Sequence, residues 1–354
     1  MAALTVSGRT DGAIRGLVPG YFALVMATGI VSVAMHDAGR TMLSASLLLI
    51  AIGAYLVLVA LNLVRVWRHH DAVAGDFGDP ARAFGFFTFV AATCVLGSRI
   101  GVEHYHGLAF GLLLVAAVAW VLLGYVVPWT AALGKTRRPV LQTANGSWFI
   151  WVVASQSIAV LAATLEVELP GYRRELALLA VFSWSVGVFL YASVGVFVAA
   201  RMLLYDFGPA DLTPPYWVAM GATAITVVAG SRIVEMADAP MVDATRGLIA
   251  GASVLFWAFG TWLIPPLLAA GYWRHVHHKV PLRYEGAMWS VVFPLGMYGV
   301  GARFLGEADH LPIVRNIGAV EVWIALTVWT ITFVAMLWHL WQTVFRPASV
   351  HRAA

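Results

Sequence analysis

The chain has 354 residues, 61% of them hydrophobic and only 11% charged, with a formal net charge of +4 at pH 7. So apolar a composition excludes an ordinary soluble domain, and basic residues scattered over short polar segments make no continuous surface for nucleic acid. What remains is an all-α integral membrane protein whose surroundings are the lipid bilayer.

Residues 1–16 are polar and carry Arg9 and Arg15, which reads as a cytoplasmic N-terminal segment. Residues 17–343 contain ten apolar stretches, at 17–35, 43–66, 83–101, 107–129, 146–165, 175–203, 215–234, 247–272, 286–304 and 317–343. Each is long enough to span, because about 20 apolar residues cross a hydrocarbon layer of roughly 30 Å. Residues 344–354 form a short tail. Basic residues such as Arg15, Arg65, Arg68, Arg82, Arg138, Arg201, Arg274 and Arg346 gather at the termini and the even-to-odd connections, which puts both termini in the cytoplasm. The opposite loops hold acids such as Glu166, Glu168, Glu235 and Asp243.

The odd-numbered stretches are copies of one another. Tyr21-Phe22 precedes Met26-Ala27-Thr28-Gly29, Phe86-Phe87 precedes Ala91-Ala92-Thr93-Cys94, Trp148-Phe149 precedes Val153-Ala154-Ser155-Gln156, and Tyr216-Trp217 precedes Gly221-Ala222-Thr223-Ala224. In the fifth copy Met288-Trp289 precedes Phe293-Pro294-Leu295-Gly296, with Leu295 at the hydroxyl position. Positions 28, 93, 155, 223 and 295 therefore mark five tandem helical hairpins, an internal symmetry that in membrane proteins builds a shared central path. We expect Thr28, Gly29, Thr93, Ser155, Thr223, Leu295 and Gly296 to line a central pore, with Cys94 beside it. Pro294 removes a backbone hydrogen bond in mid-helix, so the fifth copy is expected to bend or open near Phe293.

Three of these stretches end in arginine followed by a carboxylate one turn later: Arg99 with Glu103, Arg232 with Glu235 and Arg303 with Glu307. The arrangement suits a helix C-terminus, and it also predicts a ring of cations concentrating anions at an outer vestibule. The odd stretches are expected to carry no Asp, Glu, Lys or Arg between the interfaces, where a proton-coupled carrier would keep a relay group. The two histidine-bearing loops, at His69-His70 and at His275 to His278, read as hydrated loops rather than metal sites. No cofactor, metal or enzymatic chemistry is expected.

The five pairs, the Pro19-Gly20-Tyr21-Phe22 opening and above all Trp289-Ser290-Val291-Val292-Phe293-Pro294-Leu295 resemble the tellurite-resistance and C4-dicarboxylate transporter (TDT) family. That family includes bacterial TehA, fungal malate and sulfite exporters and plant slow-type guard-cell anion channels. The resemblance covers residues 17–343. It implies a homotrimer with one pore per subunit, five inner helices around each pore, and a gate at Phe293 and Pro294. The function expected is an anion channel or facilitator in the plasma (inner) membrane, passing small inorganic or organic anions. The alternative is a coupled exporter of a C4-dicarboxylate such as malate, or of sulfite or tellurite.

Overall fold

The computed structural model describes residues 6–134, 138–237 and 239–345, so Lys135, Arg137 and the expected tail from residue 346 onward lie outside the described residues. Ten long helices, numbered in chain order, form five hairpins. They are α1 Ala23–Asp37 with α2 Thr41–Arg68, α3 Phe87–Val102 with α4 His106–Leu133, α5 Phe149–Glu166 with α6 Arg173–Leu204, α7 Val218–Val234 with α8 Pro240–Tyr272, and α9 Trp289–Ala308 with α10 Pro312–Leu340. The described residues contain no strand.

The five odd helices form a closed ring in which each packs on the next and α9 packs back on α1. The spans containing α1, α3, α5 and α7 are 78–83% buried, whereas those containing the even helices are only 17–39% buried. The even helices therefore make an outer layer, and they present Leu49, Leu56, Phe189, Leu255 and Trp262 outward, as a lipid-facing surface requires. Nine helical segments of the described chain are long and apolar enough to cross a membrane. The tenth long helix, α9, falls outside that set. It carries Pro294, four glycines, Arg303 and Glu307, and from Trp289 to Gly306 it is almost wholly buried, so protein rather than lipid solvates it.

Every inner helix starts with a 3-10 turn: Pro19–Phe22, Phe84–Phe86, Gly146–Trp148, Pro214–Trp217 and Gly286–Met288. Pro19 and Pro214 occupy first positions of these turns, where a missing N–H costs nothing. Asn145 caps the third turn by accepting from the Ser147 N–H at 2.8 Å. Two glycines let the turns close on one another. A Cβ on Gly85 would come within 2.9 Å of the Gly20 nitrogen, and one on Gly146 within 2.3 Å of Pro215 backbone atoms.

The outer helix of each hairpin is tied to the inner helix of the following one. Tyr55 on α2 shares a hydrogen bond with Thr93 on α3 at 2.9 Å. Trp120 Nε1 on α4 donates to Ser155 Oγ on α5 at 2.9 Å, and Trp184 Nε1 on α6 donates to the Thr226 carbonyl on α7 at 3.1 Å. Thr261 on α8 shares a bond with Tyr298 on α9 at 2.8 Å. Trp329 Nε1 on α10 then donates to Thr28 Oγ1 on α1 at 3.0 Å, which closes the cycle. Such interhelical bonds are worth about 0.6 kcal/mol each on average in membranes.

Candidate functional site

The inner ring encloses three cavities in succession. At the N-terminal ends of the inner helices lies a mouth of about 330 Å³ to which all five 3-10 turns contribute, among them Tyr21, Gly85, Ser147, Pro215 and Gly286, with Ile150 and Ser290 as its helical residues. Arg82 and Asn145 put donors on its wall. At the opposite end Val102, Thr164, Glu168, Arg232 and Glu235 line a vestibule of about 260 Å³. Between the two is a small chamber walled by all five inner helices.

The chamber wall repeats the internal symmetry. Ile30, Val95, Ser157, Ile225 and Met297 form one ring, each two residues beyond a hydroxyl-register position (28, 93, 155, 223, 295). Val33, Ser98, Val160, Val228 and Val300 form a second ring, five residues beyond the same positions. Cys94, Val102, Arg232 and Phe304 complete the wall.

This geometry corrects the expected lining. Thr28, Thr93 and Ser155 turn their hydroxyls to Trp329, Tyr55 and Trp120 of the outer layer, and Thr223 lies against Gly260 of α8 while donating to the Met220 carbonyl at 2.6 Å. Gly29 and Gly296 are contact points within the ring, since a Cβ on Gly29 would meet Val95 at 2.7 Å and one on Gly296 would meet Ile30 at 2.9 Å. Leu295 is buried at 7% exposure and does not contribute to the chamber wall. The physical reason is the turn of about 100° per residue: a residue two positions on points nearly the opposite way. The repeat is in the sequence, but the lining runs two and five residues later. Cys94 does reach the chamber wall.

The three arginines separate for the same reason. They sit six, nine and eight residues past positions 93, 223 and 295, and so point in different directions. Arg99 is 1% exposed and turns into the α1–α2 interface. It donates to Ser32 Oγ at 3.1 Å and Ser44 Oγ at 2.9 Å, and pairs with Glu103 at 2.8 Å. Arg303 donates to the Asp37 carbonyl at 2.9 Å. Of the three, only Arg232 lines both the chamber and the vestibule, its guanidinium 4.7 Å from the centroid of the Phe304 ring, which corrects the expectation of no arginine within the inner spans.

Phe293 lies in the segment between mouth and chamber. One turn before it on α9, Ser290 lines the mouth; one turn after it, Met297 lines the chamber. Its symmetry equivalents are Met26, Ala91, Val153 and Gly221, each two residues before the hydroxyl register. All five are buried, Phe293 at 1% exposure, and none of them lines the mouth, the chamber or the vestibule. The one large ring of this layer thus stands among small side chains. α9 runs unbroken through Pro294, contrary to an opened helix. The consequence of the proline is local: with no N–H at Pro294, the Ser290 carbonyl at the mouth loses its intrahelical donor. Gly221 on α7 seats the proline ring, for a Cβ there would lie 2.9 Å from Pro294 Cγ. The start of α9 is anchored by Trp289, whose Nε1 donates to Tyr284 Oη at 3.0 Å, and Tyr284 in turn shares a 2.8 Å bond with Tyr21 at the mouth. Burial raises the Tyr284 phenol above its ordinary range, so it stays a neutral hydrogen-bonding group.

A family model described as SLAC1, voltage-dependent anion channel, matches residues 16–337. The chain belongs to the SLAC1 family. This is the TDT family that the sequence resembles, a family of membrane transporters. Among relatives of this SLAC1-family chain, an uncharacterized membrane protein of Mycobacterium tuberculosis is 72% identical over 159 residues, 45% of this chain and 81% of that protein. Two proteins of Methanocaldococcus jannaschii named as uncharacterized transporters are 27% and 24% identical, each over 91% of this chain and over 92% and 94% of their own lengths.

Proposed function

We propose that this SLAC1-family chain is an anion channel or facilitator, passing small inorganic or organic anions through a pore in each subunit that the Phe293 ring, backed by Pro294, holds closed. The observation that carries the reading is the position of Phe293, buried on one helical stripe between Ser290 of the mouth and Met297 of the chamber. A ring of five inner helices with a cavity at each end and a buried aromatic layer between them is what a gated pore requires. The closing layer carries no fixed charge, so passage there is governed by the cost of stripping water from the ion. The family and the distribution of basic residues support a homotrimer in the plasma (inner) membrane with both termini cytoplasmic and the mouth on the cytoplasmic side.

Purified protein in liposomes, with chloride, nitrate, sulfite and malate compared under an imposed voltage and an imposed pH gradient, tests this. Voltage-driven flux that ignores the pH gradient is the expected result. Flux that requires the pH gradient overturns it in favour of a coupled exporter of malate, sulfite or tellurite. One observation bears on that second reading: the mouth, at about 330 Å³, has room for a four-carbon dicarboxylate, but Glu285 shares its wall and Arg82 is paired with Asp76 at 2.7 Å.

A further inference from the structure

The chamber beyond Phe293 contains two polar groups that the fold leaves unused. Ser98 Oγ and Arg232 Nε are both buried, and neither has a hydrogen-bond partner among the described residues. Both side chains line the same enclosed space. Asp37 and Glu235 both act on Arg232 electrostatically, and Asp37 Oδ2 is itself buried without a hydrogen-bond partner among the described residues. A buried donor without an acceptor is costly, and a buried cation more so. The other polar side chain on the wall, Ser157, is already committed, donating to the Val153 carbonyl at 2.8 Å. The remaining wall is apolar apart from the Cys94 thiol.

Resting on the channel reading above, we propose that this chamber is an occlusion site for one small anion, held by the Arg232 guanidinium and the Ser98 hydroxyl. One anion would satisfy both orphaned donors at once. The space sets the size class. About 40 Å³ of it is open to the centre of a water molecule, where a single water needs about 10–15 Å³. A halide or nitrate with one or two waters fits, and a four-carbon dicarboxylate does not. Arg232 is thereby a specificity-determining residue. Its charge rests on the face of Phe304, 4.7 Å away, a contact that does not neutralise it. An arriving anion replaces that weak contact with a charge-assisted hydrogen bond.

Cys94 is a built-in reporter, being the single cysteine of the chain and part of the chamber wall. Its modification by methyl methanethiosulfonate is to be timed in purified full-length protein over a range of nitrate concentrations, with malate as the contrasting anion. We expect nitrate to slow the reaction and malate not to. In Arg232→Gln the half-protecting nitrate concentration should rise about ten- to a hundredfold, the worth of one charged hydrogen bond. Arg232→Lys should restore most of it, and Ser98→Ala should give a smaller loss. If Arg232→Gln does not fold, the Lys and Ser98 variants carry the comparison. Equal protection in all variants or protection by malate overturns the site; if the buried thiol is inert, nitrate-dependent thermal stabilisation is compared between the native chain and Arg232→Gln, and equal stabilisation overturns it. Nitrate flux without protection sinks the occlusion site alone. Protection without flux sinks the channel reading and leaves the site standing.

Discussion

Trp329 Nε1 donates to Thr28 Oγ1 at 3.0 Å, joining the outer helix α10 of the last hairpin to the first inner helix, α1, across 301 residues of sequence. The Thr28 hydroxyl also donates to the Leu24 carbonyl at 2.7 Å, so it is saturated by protein and has nothing left to offer a passing ion. Trp329→Phe removes the ring-closing bond and little volume. It should lower stability by about 0.6–1.7 kcal/mol and leave the order of anion preference unchanged, as read by heating in detergent followed by size-exclusion chromatography and by liposome flux. A changed anion order with unchanged stability would return Thr28 to the ion path.

The Phe293 layer makes a prediction of opposite sign to ordinary core packing. Phe293→Ala removes the one aromatic ring of this layer, so basal anion flux per folded protein should rise. Phe293→Leu should be intermediate and Phe293→Trp closed. Truncating a core phenylalanine typically costs about 3–5 kcal/mol, so folded yield falls in either case. An unchanged or reduced flux per folded molecule would refute the gate.

Gly221 supports that layer from α7. A methyl at Gly221 would sit 2.9 Å from Pro294 Cγ, and the proline ring, fixed in α9, has no rotamer to escape into. Gly221→Ala should therefore cost about 1–3 kcal/mol by overpacking. Gly53→Ala, on the outer helix α2 with nothing within 4 Å of the new methyl, should instead stabilise by about 0.5–1 kcal/mol. Equal thermal shifts for the two variants would show that Gly221 does not seat the proline.

Arg99 and Arg232 should respond differently to salt. Arg99→Ala removes the donors to Ser32 and Ser44 and the pair with Glu103, which should cost about 1–3 kcal/mol and lower folded yield equally at every ionic strength. Arg232→Gln should reduce flux most at low salt, with the deficit shrinking as the Debye length falls to about 8 Å at 0.15 M. Salt-independent loss of flux in both would assign Arg232 a structural role.

The sequence by itself determined the class, the ten spans, the five-hairpin repeat and the Phe293-Pro294 position, because hydropathy and internal symmetry are written in residue order and need no knowledge of neighbours. It did not show that Thr28, Thr93 and Ser155 turn to the outer helices, while Cys94 joins the chamber wall. Facing was decided only by the tertiary structure. Thr28, Thr93 and Ser155 share one register, but which side of a buried helix meets the axis depends on how five helices pack, and a helix buried all round shows no amphipathic signal. The same reason separates Arg232 from Arg99 and Arg303. Three similar Gly-Ser-Arg or Gly-Ala-Arg ends differ by one to three residues in phase. At about 100° per residue, that difference sends one guanidinium to the chamber and the other two into contacts between helices.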